Sequence, residues 1–266
     1  LFSMFAYLSW IYSLVAFGLS IISCIFLISS NRSPASKTVW TFIILIFFNV
    51  GFILYILTND KFFFRKPRKM FREVFARSEP QRPVYAQPEI ADARVREDCE
   101  YLRRVGGFTP FTATDVEYFS SGGKLFDDIL QSVSRAEKFI FIEFFIISDG
   151  ILLERFISLL SEKVAAGVDV RIIYDDLGSR SFSRRQRKRI KKSGIKLMTF
   201  NKLIPAVNFV LNIRDHRKIV VVDGKVAYTG GANLADEYTN ESRHYGYWKD
   251  GGVRAEGAAA DGFTLM

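Results

Sequence analysis

The chain lacks the residues that staple small secreted domains or build metal centres. It has two cysteines, Cys24 in an apolar run and Cys99 in a polar one, so no disulfide framework or Cys24–Cys99 pair is expected. Its two histidines, His216 and His244, give no zinc-ligand spacing with those cysteines. No metal or cofactor is therefore expected, although a weak magnesium site made of carboxylates stays open. Charge is absent from Leu1 to Ser30 and again from Thr38 to Asn59. A basic leader with a short apolar core is also missing, which argues against a signal peptide. No internal repeat is visible.

What is present begins with those two uncharged runs. About 20 apolar residues span a bilayer as a helix, so the spacing predicts transmembrane helices over about 2–30 and 38–58. The connector Asn31–Lys37 is short and turn-forming, so residues 1–59 should form an antiparallel hairpin. Lys61, Arg65, Lys66, Arg68, Lys69 and Arg72 follow the second run. This bias predicts a multi-pass protein of the cell membrane whose C-terminal region faces the cytoplasm. Residues 60–89 then combine a basic juxtamembrane segment with a linker carrying Pro80, Pro83 and Pro88. Phe62, Phe63, Phe64, Met70, Phe71 and Phe75 alternate there with cations, which suits either a bilayer-surface segment or a solvated flank.

A net charge of +9 beside a hydrophobic fraction of 49% points to an anionic partner. The long apolar runs favour lipid, and no nucleic acid is expected. Residues 90–266 read as one α/β domain, an α/β sandwich of alternating elements. Helices are expected over 91–104, 124–136, 151–165 and 184–192. Strands are expected over 116–119, 139–147, 168–174, 195–199, 214–222 and 225–229. The chain begins at Leu1 inside an apolar run and stops at Phe263-Thr264-Leu265-Met266, so a longer polypeptide truncated at its C-terminus is the expectation.

The chemistry concentrates in His216-Arg217-Lys218-Ile219-Val220-Val221-Val222-Asp223-Gly224 and Gly230-Gly231-Ala232-Asn233. Strand periodicity puts His216 and Lys218 on one face, an acid/base or nucleophilic group beside a fixed cation. Asp223-Gly224 is a two-residue hairpin signal, which favours a turn and orienting role for Asp223. Gly230 and Gly231 let backbone approach closely, and Asn233 offers a neutral donor or a helix N-cap for 234–238. Asp250 is the candidate for orienting His216, with Asp236 and Glu237 as alternatives. Glu143 stands in an otherwise apolar strand, where a carboxylate should be paired or functional, bracing the lysine or lining the site. His244 reads as a surface residue. Arg184–Lys192 is the densest charge block, either a solvated face or a surface held against anionic lipid.

The H-x-K-x4-D-x6-G-G-x-N pattern resembles the HKD signature of the phospholipase D superfamily. Tyr118-Phe119-Ser120-Ser121-Gly122, Phe139–Glu143, Tyr174–Ser179, Asp236-Glu237-Tyr238 and Tyr245–Asp250 are similar to bacterial cardiolipin synthases. The resemblance covers nearly all of the chain. It implies the first half of a phospholipase D-like α/β sandwich behind a two-helix membrane hairpin, with a phosphatidyltransferase activity. The implied catalytic residues are His216, Lys218 and Asp223, and the implied substrate-binding residues are Asn233, Gly230, Gly231 and Glu143. Phosphatidylglycerol is the implied substrate. Such enzymes carry two HKD motifs and this chain has one, so a second half or a homodimer is the implied partner. A phospholipase D-type hydrolase, a single-motif nuclease acting as a homodimer, and an inactive fragment are the competing readings.

Overall fold

The computed structural model describes residues 2–30, 34–57, 69, 73, 74, 76, 77, 88–107, 110–112, 114–202 and 214–266. Most of the basic juxtamembrane segment and proline linker lies outside them. The chain divides into two compact units, residues 1–76 and 77–266.

In the first unit α1 (Phe2–Ile28) is one unbroken helix, and its 7–28 stretch is long and apolar enough to cross a membrane. Most of its large apolar side chains are exposed, Trp10, Phe17 and Phe26 among them. The second apolar run is not the single helix expected. It forms α2 (Pro34–Ile46) and α3 (Phe48–Leu57), broken at Phe47. Gly51 explains the close packing at the break, because a Cβ there would stand 2.6 Å from the Ile43 carbonyl oxygen. Cys24, Leu27, Ile44 and Tyr55 bury one another, with Trp40 edge-on to Tyr55 at 5.8 Å. Lys37 donates to the Ile28 carbonyl at 2.6 Å, a cation closing the C-terminus of α1.

The second unit is built on seven strands: β1 (Thr114–Phe119), β2 (Phe139–Phe144), β3 (Asp169–Asp175), β4 (Lys196–Phe200), β5 (Lys218–Val222), β6 (Val226–Gly230) and β7 (Gly252–Gly257). Their order is β1-β7-β6-β5-β2-β3-β4, with β2, β3 and β4 parallel and the other pairings antiparallel. The helices are α4 (Ala93–Gly106), α5 (Gly122–Ser134), α6 (Ile151–Ala165), α7 (Arg184–Lys192), α8 (Asp236–Thr239) and α9 (Ala258–Leu265). This is the expected α/β fold.

Alternation along each strand separates two cores. Ile140, Ile142, Phe144, Val220 and Val222 pack against Leu125, Phe126, Ile129, Leu152 and Phe156 of α5 and α6, and against Ile190 of α7. Fully burying Phe126 or Phe156 contributes about 1.5–3 kcal/mol each. The other face is smaller, with Ile219, Val221 and Ala227 against Ala260 of α9. Sequence periodicity overran the strands nearest the chemistry. The 139–147 run ends as strand at Phe144, and the 214–222 run begins only at Lys218.

Candidate active site

β5 carries Lys218 at one end and leads into Asp223 at the other. His216 lies in the segment 214–217 ahead of the strand and is exposed. Its Nε2 stands 3.2 Å from Lys218 Nζ, and Lys218 Nζ also donates to the His216 carbonyl at 2.9 Å. An ammonium has donors only, so this contact takes Nε2 as acceptor and leaves the ring proton on Nδ1. The Phe145 ring packs on the imidazole at 4.7 Å and lies 5.5 Å from Lys218 Nζ. Lys218 itself is buried, 6% exposed, beside Phe144, Val220 and Gly230. Burial pushes its ammonium below the usual lysine range, partly opposed by the charges of Asp250 and Asp215. The two groups thus form a close pair with a partly desolvated cation, an arrangement that can hold a phosphate oxygen while nitrogen attacks phosphorus.

Asp223 is not brought to this pair. It lies beyond the opposite end of β5, roughly 16 Å along the strand at 3.3 Å per residue. Asp223 and Gly224 have φ of 55° and 68°, the two positive values that a type I′ hairpin turn requires. The Asp223 carboxylate accepts from the N–H groups of Glu137 (2.8 Å), Lys138 (2.8 Å) and Phe139 (2.9 Å). Burial pushes this carboxyl up, but those three donors outweigh it and hold it below the usual range. Asp223 therefore clamps the β5–β6 turn to the start of β2.

Asn233 is buried, and its side chain is engaged within the fold. Its Oδ1 accepts from Ile146 N at 3.0 Å and its Nδ2 donates to Tyr238 Oη at 2.8 Å. It does not cap a helix over 234–238, because α8 starts at Asp236 with Ala235 at the cap. Gly230 and Gly231 make room for neighbouring chain. A Cβ at Gly230 would stand 2.5 Å from the Gly251 oxygen, and one at Gly231 would run into the Asp250 carboxylate.

Asp250 makes no described hydrogen bond to His216. Its oxygens accept from Gly251 N at 2.8 Å and Trp248 Nε1 at 3.3 Å, while its charge acts on Lys218. Of the two alternatives, Asp236 is occupied elsewhere. It accepts from Ile151 N and Leu152 N, both at 2.9 Å, and so caps α6 from a distant part of the chain. Gly150, the residue at that helix start, has no side chain to do so. Such a cap contributes about 0.5–2 kcal/mol. Glu237 lies in the first turn of α8, with no described bond to His216.

Glu143 lies on the sheet face opposite Lys218. Register places Phe144 across from Lys218 and Glu143 across from Ile219. Its Oε1 is 2.6 Å from Arg217 Nη2, a close contact without the alignment of a hydrogen bond. Burial and the neighbouring Asp215 carboxylate raise Glu143 to about 8, opposed by Arg217. Its expected place beside the lysine is replaced by this acid pair on the far side. Sequence reasoning also missed Tyr238 and Trp248, whose rings lie 5.2 Å apart and link Asn233 to Asp250. Asn240 holds Trp248 through both backbone groups, at 2.8 and 3.0 Å. Only the aromatic cluster near the motif signalled them. His244 is exposed against Tyr245, as its polar loop suggests.

Residues 129–248 match the cardiolipin synthase, PLD-like domain family, and residues 17–58 match the phospholipase D-nuclease N-terminal family. Over residues 129–248 the chain is thus similar to the PLD-like domain of cardiolipin synthases. It is 38% identical to an uncharacterized protein of Streptococcus mutans, over 92% of this chain and 54% of that protein. A cardiolipin synthase of Oceanobacillus iheyensis is 32% identical over 90% of this chain and 51% of its own length. The chain thus spans about half the length of the curated relatives it matches. Among solved structures, the phospholipase D family member Nuc from Salmonella typhimurium superposes with a TM-score of 0.43 at 20% identity, covering 57% of this chain and 89% of that one.

Proposed function

We infer that this chain supplies one histidine–lysine pair of a membrane phosphatidyltransferase that makes cardiolipin from two phosphatidylglycerol molecules. The observation that carries the reading is the 3.2 Å His216–Lys218 contact at the end of β5. When substrate binds, Lys218 Nζ turns from His216 Nε2 to a phosphate oxygen, and the freed Nε2 attacks the phosphorus of one phosphatidylglycerol. The P–N bond forms, the P–O bond to the headgroup glycerol breaks, and a phosphohistidine results. The departing glycerol oxygen takes a proton from a second histidine. A hydroxyl of the second phosphatidylglycerol then gives its proton to that histidine and attacks phosphorus, and the P–N bond breaks. Lys218 neutralises a non-bridging oxygen as charge builds in both transition states. The second His–Lys pair comes from the rest of the polypeptide or from a second copy. Asp223 serves as the clamp of the hairpin, and Asp250 keeps a countercharge near Lys218.

The reading places the enzyme in the cell membrane, with α1 and the α2–α3 pair crossing it and the second unit in the cytoplasm. An anionic substrate suits the exposed face of α7, where Arg184, Arg185, Lys188, Lys191 and Lys192 show no ion pair among the described residues. The test supplies the full-length protein with phosphatidylglycerol and follows the products. Cardiolipin with free glycerol supports the transferase, phosphatidic acid indicates a hydrolase, and DNA cleavage without lipid turnover rejects both.

A further inference from the structure

His216 precedes β5, so no strand ladder fixes residues 214–217, and something else must hold them. Asp175, the last residue of β3, is fully buried at 0% exposure. A buried carboxylate is costly unless donors surround it, and four do. Two belong to its own turn, Leu177 N at 2.8 Å and Gly178 N at 3.1 Å. The other two come from the segment ahead of β5. Asp215 N donates to Oδ2 at 3.2 Å, and Arg214 Nη1 donates to Oδ1 at 3.3 Å.

A turn-forming aspartate needs only the first pair of bonds. The second pair spans the intervening strand β2 and anchors the peptide immediately before the histidine. The same turn reaches the other side of the imidazole, because Ser179 N donates to Asp175 O at 3.0 Å and Ser179 Oγ to Phe145 O at 3.1 Å. Phe145 is the residue whose ring packs on His216.

We propose that Asp175 is a positioning residue for His216, fixing the Arg214–Asp215 peptide and so the point at which the imidazole enters the site. Its catalytic consequence rests on His216 being the nucleophile, whereas its structural consequence does not. Asp175→Asn keeps one acceptor oxygen for the turn and puts an amide donor against Asp215 N–H. In the full-length protein kcat should fall on the order of 100-fold, with KM for phosphatidylglycerol unchanged, the scale expected of a small misplacement. Asp169→Asn, on the same strand but bonded to Arg171 and Lys196, should leave kcat unchanged.

In the same full-length protein, the isotope-labelled imidazole signals of His216 and His244 are assigned by substituting each histidine in turn. In Asp175→Asn the His216 signal should move while that of His244 stays. An unchanged His216 signal, or a full kcat in Asp175→Asn where His216→Ala is inactive, overturns the proposal. Active His216→Ala with a moved signal overturns the nucleophile reading alone. If the variant does not fold, the wild-type protein decides. The Asp215 amide should be protected from hydrogen exchange although it lies outside a strand, and exchange at the rate of a free segment refutes the anchor.

Discussion

Lys218, at one end of β5, and Asp223, just beyond the other, are five residues apart in sequence and do opposite work. At the Lys218 end, polar groups are gathered with capacity left over, since the imidazole is exposed and the ammonium is partly desolvated. At the Asp223 end every carboxylate oxygen is committed to backbone N–H groups. A motif contiguous in sequence is therefore split in space, with reactive groups at one end and a structural clamp at the other. Unspent hydrogen-bonding capacity, more than residue type, separates a group available for chemistry from one that builds the scaffold.

The largest expected contrast comes from activity. His216→Ala should lower turnover of the full-length enzyme by on the order of 10²–10⁴-fold or more, whereas Asp223→Asn should keep most of it. Loss of turnover in a well-folded Asp223→Asn would collapse the distinction between the ends. Next in size is stability. Asp223→Ala strips the acceptor from three N–H groups and should cost about 1–3 kcal/mol in a denaturant titration. His216→Ala, made at an exposed position, should barely shift the same titration. Gly224→Ala forces a Cβ into the left-handed region at φ 68° and should cost about 1 kcal/mol, again without touching catalysis.

A contrast read in pH rather than in activity belongs to Glu143, on the face behind the site. Its carboxyl keeps a proton to about pH 8 when folded but loses it in the ordinary glutamate range when unfolded. The folded state thus binds more protons across that window, and stability falls as pH rises from about 5 to about 8. Glu143→Gln should flatten that slope in melting curves taken across the window. An unchanged slope would mean the carboxyl is ionised in the folded protein.

Much of the architecture was legible because local periodicity and packing agree. The helices at 151–165 and 184–192 appear where the sequence places them, each followed closely by a glycine stop, Gly167 and Gly194. The histidine–lysine pair was legible because two-residue spacing survives even though His216 stands just outside the strand. What could not be read depends on partners far along the chain. β7, Gly-Val-Arg-Ala-Glu-Gly, has weak strand preference and exists because β1 and β6 flank it. Glu143 was visible as an anomaly, but its face of the sheet depends on a register that no local pattern contains. Asp175 showed no role of its own and Asp236 read as an alternative orienting group for His216 until their donors, 40 and 85 residues distant, were seen. The break between α2 and α3 was hidden by an apolar run uniform enough to suggest continuity.

The sheet edge has a consequence in time. β1 pairs with β7 along its full length, so Thr114 waits for Gly257 before its ladder closes. Such a long-range pairing raises contact order, and folding slows accordingly. During synthesis β1 and β6 are both open edges until residues 252–257 leave the ribosome, and open edges invite pairing between chains. Production at low temperature, or a chaperone that shields the β1 edge, should therefore raise soluble yield more than any substitution in the finished core.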